Sequence, residues 1–143
     1  NPEQLEFDSL LQILDLGADI YTVGRPHPMI DPLKRTEMIL ESENLQNLGV
    51  LLLDLVLGKG SHENPAEPLA DSVQILREQM EKSNRKFVPV TSVVGTVKDP
   101  QGLNQQVEQL EAAGIHVFPS NAEAARFAAL LVKPELDGQL LVS

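Results

Sequence analysis

A chain of 143 residues without cysteine has the length of one domain, and neither a disulfide framework nor a thiolate metal site is open to it. Its formal net charge is −10, from 11 Lys and Arg against 21 Asp and Glu, and aromatic residues make up 3%. That composition excludes a nucleic-acid surface, which needs clustered cations and stacking platforms. The longest apolar run, Val50 to Leu57, is interrupted by Asp54 and falls short of the ~20 residues of a membrane span, so a cytoplasmic protein is expected.

In chain order, Phe7, Leu10, Leu11 and Leu14 have the spacing of an amphipathic helix, whereas Ile13–Leu16 reads equally as a strand. Ile20–Val23, Gly49–Leu57 and Phe87–Val94 are short, rich in branched apolar residues and not strictly alternating, as buried parallel strands are; Ile115–Phe118 is a shorter fourth. Between them, Leu69, Val73, Leu76 and Met80 share one helix face, and Leu103, Val107 and Leu110 another. An alanine-rich helix from Ala122 to Val132 follows, and Gly138–Val142 has the composition of an edge strand. Strands alternating with helices of this length predict an α/β domain with a parallel sheet of four to five strands. Both ends are abrupt, so residues 1–143 are expected to be a single domain cut from a longer chain.

Helix starts repeat one chemistry. Asp31-Pro32, Asn64-Pro65 and Asp99-Pro100 each put an Asx cap before a proline, and Ser120 with Glu123 forms a capping box. Gly114 is placed to end the helix that carries Leu110.

Open α/β sheets bind ligands beyond the carboxyl ends of their strands. Three loops are expected at that edge: Gly24 to Asp31, Gly58 to Asn64 and Gly95 to Asp99, each opening with glycine and carrying a cation. Glycine permits close backbone approach, and the helix start that follows offers amides to an anion. Each element also has a plainer reading. A glycine after a strand is ordinary turn chemistry, His27 between prolines is a rigid loop residue, and Arg25 pairs with a surface carboxylate. His116 within a strand reads as structural, and Asp54 in a buried strand requires a hydrogen-bonding partner. The Gly58-Lys59-Gly60 run is not a dinucleotide fingerprint, because Glu63 stands at the third small position. No zinc spacing, Walker loop or Ser–His–Asp triad is present, and no metal is expected.

At these loops, the runs Tyr21-Thr22-Val23-Gly24-Arg25-Pro26-His27-Pro28-Met29-Ile30-Asp31-Pro32 and Leu51-Leu52-Leu53-Asp54-Leu55-Val56-Leu57-Gly58-Lys59-Gly60 closely resemble the FdrA group of acyl-CoA-synthetase-like proteins. Gly95-Thr96, Asp99-Pro100-Gln101, Leu110 to Gly114 and Pro119-Ser120-Asn121-Ala122 extend the likeness over roughly Leu14 to Val132. That group is similar to the succinyl-CoA synthetase superfamily, whose CoA-ligase domain is a three-layer, flavodoxin-like domain, and the resemblance implies the same here. It further implies CoA and ATP or ADP in a complete enzyme, and either CoA-thioester formation or carbamoyl transfer as the chemistry. Gly58, Gly60 and the helix after Asn64 would match a phosphate-facing helix start, and Gly95 and Thr96 the turn that closes the site. One departure stands out. The superfamily's phosphohistidine lies in a Gly-His-Ala-Gly type loop, and no histidine occurs between Gly95 and Gly114.

The site expected from loops and resemblance together has His27 as acid–base or positioning group. Arg25 and Lys59 serve as anion ligands, with Gly24, Gly58, Gly60, His62, Gly95 and Thr96 around the anion. The expected partners are other domains or subunits of the same enzyme, a small anionic substrate and further copies of the chain. The rival expectation is a non-catalytic assembly or anion-sensing domain.

Overall fold

A computed structural model describes residues 4–8, 11–14, 31–45 and 47–134, with side chains from residue 31 onward. The expected strand Ile20–Val23, the loop from Gly24 through Arg25 and His27 to Ile30, and the Gly138–Val142 tail lie outside the described residues.

The first described element is a pair of antiparallel strands, β1 (Gln4–Asp8) and β2 (Leu11–Leu14). A helix through Phe7 to Leu14 is therefore not formed. Gln4-Leu5-Glu6-Phe7-Asp8 alternates polar and apolar residues with the period of a strand, and Leu5 pairs with Ile13 while Glu6 pairs with Gln12. That period overrides the helical spacing.

Next come helix α1 (Leu33–Glu41), a short 3-10 turn (Ser42–Asn44) and strand β3 (Val50–Val56). Helix α2 (Ala66–Glu81) leads to β4 (Val88–Val94), α3 (Leu103–Ala112) to β5 (His116–Phe118), and α4 (Asn121–Val132) follows. The three strands form one parallel sheet in the order β3-β4-β5, with Val50 opposite Val88, Leu55 opposite Val93 and Ser92 opposite Phe118. Helices cover both faces. Leu55, Leu57 and Val93 join Leu69, Val73, Leu76 and Met80 of α2 and Leu110 of α3 in one buried cluster. On the other face the hydroxyl of Ser92 bonds the Asn121 side chain at the start of α4, and Ala124 and Ala128 are buried there. Small alanines let that helix lie close to the sheet.

Capping chemistry is partly redistributed. Asp31 Oδ1 accepts the Leu33 amide at 3.0 Å, and Ser120 Oγ accepts the Glu123 amide at 3.2 Å. Asn64 and Asp99 are not side-chain caps. The first amide of α2 is bonded by another residue, and α3 begins only at Leu103 after Gly102, so Asp99 sits in a turn ahead of it.

Asp54 is not a buried carboxylate. Its side chain is 60% exposed, as is much of Leu52 two residues earlier, at 46%. Arg35 Nη2 donates to it at 3.4 Å. Burial pushes the Arg35 guanidinium below its ordinary pKa, opposed by the charge of Asp54.

Helix α3 ends in a two-bond cap. Gly114, at φ 77°, donates to Glu111 O at 2.9 Å, and Ile115 N donates to Leu110 O at 3.1 Å. A Cβ at Gly114 would also meet Arg77 Nη2 at 3.0 Å, and that guanidinium donates to Ala113 O at 2.9 Å. Gly114→Ala should cost about 1–2 kcal/mol, the scale of a left-handed non-glycine residue. Urea denaturation measures it, and an unchanged midpoint would contradict the backbone conformation.

Candidate functional site

The β3–β4 ladder continues one step past β3, with Leu57 N donating at 2.9 Å to O of Val94, the last residue of β4. Two loops then leave the carboxyl edge side by side, Gly58–Asn64 into α2 and Gly95–Gly102 into α3. Gly58 (φ 149°) and Gly60 (φ 86°) hold conformations that favour glycine, and Ser61 N closes a turn onto Gly58 O at 3.3 Å.

A glutamine pair joins the two loops. Gln101, 7% exposed, meets both main-chain groups of Gly58: Gly58 N donates to Oε1 at 3.1 Å, and Nε2 donates to Gly58 O at 2.7 Å. Nε2 also donates to His62 O at 3.2 Å. Gln106, 4% exposed, accepts the Ala66 amide on Oε1 at 2.9 Å and so caps α2 from the neighbouring helix. Its Nε2 donates to Asn64 Oδ1 at 2.9 Å and to Gln101 O at 3.2 Å. Sequence reasoning missed both residues. The available signal was Gln106 standing three residues after Leu103 and four before Leu110, a polar residue inside an apolar helix stripe.

The second loop folds on itself. Thr96 N donates to Asp99 Oδ2 at 2.6 Å, Asp99 N to Thr96 O at 3.1 Å, and Lys98 N to Thr96 Oγ1 at 3.2 Å. A Cβ on Gly95 would lie 2.8 Å from Leu57 Cβ and 3.0 Å from Asp99 Oδ2, so only glycine fits against the neighbouring strand. In the first loop His62 Nδ1 accepts the Asn64 amide at 3.0 Å, which leaves Nε2 to carry the proton of a neutral ring.

Of the expected site residues, Gly58, Lys59, Gly60, His62, Gly95 and Thr96 lie in these two adjoining loops, while Gly24, Arg25 and His27 belong to the segment outside the described residues. Lys59 and Lys98 are exposed, one cation on each loop. A cavity of about 310 Å³ opens where the loops meet, lined by Gly58, Gly60, Ser61, Glu63, Pro100 and Gln101. The Ser61 hydroxyl is buried beside it with no hydrogen-bond partner among the described residues. A second cleft, about 370 Å³ and mainly apolar, runs between α3 and the ends of β4 and β5, past Val107, Phe118 and Glu108. Together the loops offer a rigid backbone, hydroxyls and dispersed cations, which suits binding a polar end group.

Removing the Gln106 side chain leaves the Ala66 amide without a partner at a buried helix start. Gln106→Ala should cost about 1–3 kcal/mol and speed hydrogen exchange at Ala66, whereas a change at exposed Gln105 should stay within about 0.5 kcal/mol. Thermal denaturation and amide exchange read both, and equal behaviour of the two variants would dismiss the clamp.

The CoA-ligase family profile matches residues 8–131. A protein of Escherichia coli (strain K12), the uncharacterized protein YahF, is 33% identical over 115 residues, which cover 80% of this chain and 22% of that protein. The chain therefore spans less than a quarter of that relative's length. Among the described residues no helix is long and apolar enough to cross a membrane. A family profile matched across nearly the whole chain, on a parallel sheet whose loops gather at one edge, means that this chain belongs to the CoA-ligase family.

Proposed function

We propose that this chain is the ligase-type module of a longer FdrA-like, acyl-CoA-synthetase-like protein, and that its edge loops hold an anionic group during acyl or phosphoryl transfer. The reaction is CoA-thioester formation or carbamoyl transfer. The observation that carries the reading is the union of loops 58–64 and 95–102 by Gln101 and Gln106 into one polar surface. Family membership and the likeness to a relative several times longer support it.

The residues present suit one end group of CoA or a nucleotide rather than the whole molecule. Lys59 and Lys98 would meet phosphate oxygens, with Thr96 supplying a hydroxyl; the amides of Gly58 and Ala66 are already bonded to glutamine side chains and are not free to do so. Bound CoA would supply a thiol to accept an acyl group, and a bound nucleotide a phosphoryl group. The chain's own loops would orient the anion and keep its charge matched in a protein that is otherwise acidic. His27 and Arg25 complete the proposed site, His27 as acid–base or positioning group. Other domains or subunits of the same protein would bring the remaining chemistry.

A second reading, an assembly domain without catalysis, draws on exposed apolar side chains at Leu52, Val94, Val97 and Val132. The longer protein separates the two. With an acid, CoA and ATP, or with a carbamoyl donor, His27→Ala should lower turnover by about 10²–10⁴ while the melting temperature barely moves. Lys59→Ala should weaken the apparent affinity for the anionic substrate. Full activity in both variants and in Arg25→Ala would favour the assembly reading.

A further inference from the structure

Three amides that face the loop cluster, those of Gly58, Ala66 and Thr96, each bond a side-chain oxygen from the stretch 99–106. They differ in kind. Gly58 and Ala66 are held by neutral amides of buried glutamines that make further bonds, so exchanging either for an ion would strand buried polar groups. Thr96 is exposed, and its partner is the half-buried carboxylate of Asp99 at 2.6 Å, the short length of a charge-assisted contact. The same oxygen lies 3.0 Å from the position a Cβ would take on Gly95, so the missing side chain is what lets an oxyanion lie against the turn.

We propose that the Gly95–Thr96 turn is an oxyanion subsite whose resting occupant is the Asp99 carboxylate, exchanged for a carboxylate or phosphate group of the ligand. This rests on the reading that these loops hold an anionic group. The exchange is local. Asp99 is kept in the turn by main-chain bonds, Asp99 N to Thr96 O and Gly102 N to Asp99 O, both at 3.1 Å, so its side chain can rotate into solvent without undoing them. Thr96 Oγ1 already accepts from Lys98 N, which leaves its hydroxyl proton to donate beside the amide. The Lys98 ammonium is exposed on the same turn. Because Asp99 competes from within the chain, at an effective concentration on the order of millimolar or above, a weakly held monoanion is rejected. A ligand anchored elsewhere as well, or carrying a second negative charge, displaces it.

Amide spectra of the full chain test this, with inorganic phosphate or acetate added to the wild type, Asp99→Ala and Asp99→Asn. In Asp99→Ala the Thr96 amide should saturate with phosphate at a concentration at least about tenfold below that of the wild type, the scale of one charge-assisted bond. Asp99→Asn keeps an oxygen but no charge and should fall between. A lower saturating concentration for phosphate than for acetate assigns a phosphate group to the subsite, and the reverse a carboxylate. If Asp99→Ala fails to fold, Asp99→Asn decides alone. A Thr96 amide that responds at the same concentration with and without the charge, or not at all, overturns the subsite. Shifts confined to Lys59, Gly60 and Ser61 would do so while leaving the proposed function standing. Silence at every loop amide in all folded proteins would remove both.

Discussion

Beyond Leu57 and Val94 strands β3 and β4 part, and the main chain no longer supplies partners across the gap. The side-chain amide of Gln101 fills it, accepting from Gly58 N and donating to Gly58 O as a neighbouring strand would. This bridge extends the ladder by one rung and fixes where both loops begin. Gln106 repeats the device one turn into α3, so the start of α2 is capped from the adjacent crossover rather than by its own Asn64. Two βα units that would otherwise end independently become one surface. Buried side-chain amides are costly when unpaired, and here both are fully engaged, which ties the loops' positions to the core behind them.

Charge sets the second constraint. With a formal net charge of −10, the chain's field repels an anion such as the one proposed to bind here. Long-range attraction is unavailable, so an anion can be held only by short-range donors at fixed positions. Among the described residues, several such donors serve the fold itself. Main-chain amides at Gly58 and Ala66 are bonded by the glutamine bridge, and the Thr96 amide by Asp99. The exposed rim of the described loops offers the Thr96 hydroxyl, Lys98 and Lys59, with the Ser61 hydroxyl behind them.

Much of the architecture was legible because independent signals agreed. Branched apolar runs at Gly49–Leu57 and Phe87–Val94, the Leu69–Met80 stripe and Gly114 all report local backbone chemistry that tertiary packing reinforces. The start of the chain misled because four leucine and phenylalanine positions match a helix while Gln4 to Asp8 alternates with period two, and a strand partner decides between them. Asx-Pro pairs misled for another reason. Asn64 and Asp99 have the right side chains for capping, but a buried glutamine took the first helix start and a neighbouring threonine amide took the Asp99 carboxylate. Such partners are far away in sequence, or run against the usual direction, and spacing does not reveal them. Gln101 and Gln106, the residues that organise the site, were hidden because glutamine in a loop or on a surface helix is ordinary and only burial makes it informative.

The histidines complete the argument. With Nδ1 bonded to the Asn64 amide, the neutral ring of His62 presents an N–H at Nε2, a donor rather than a lone pair. His116 is exposed on β5 and tilts against Phe127, with ring centroids 5.1 Å apart. His62 is thus arranged as a donor, and no histidine lies between Gly95 and Gly114. Under the proposed reading the described loops orient an anion by hydrogen bonds and leave covalent chemistry to another part of the longer protein. An Asp99 carboxylate resting on the Thr96 amide suits that division, since a holding site must not keep its anion too tightly, and a tethered competitor lowers the affinity without altering the fold.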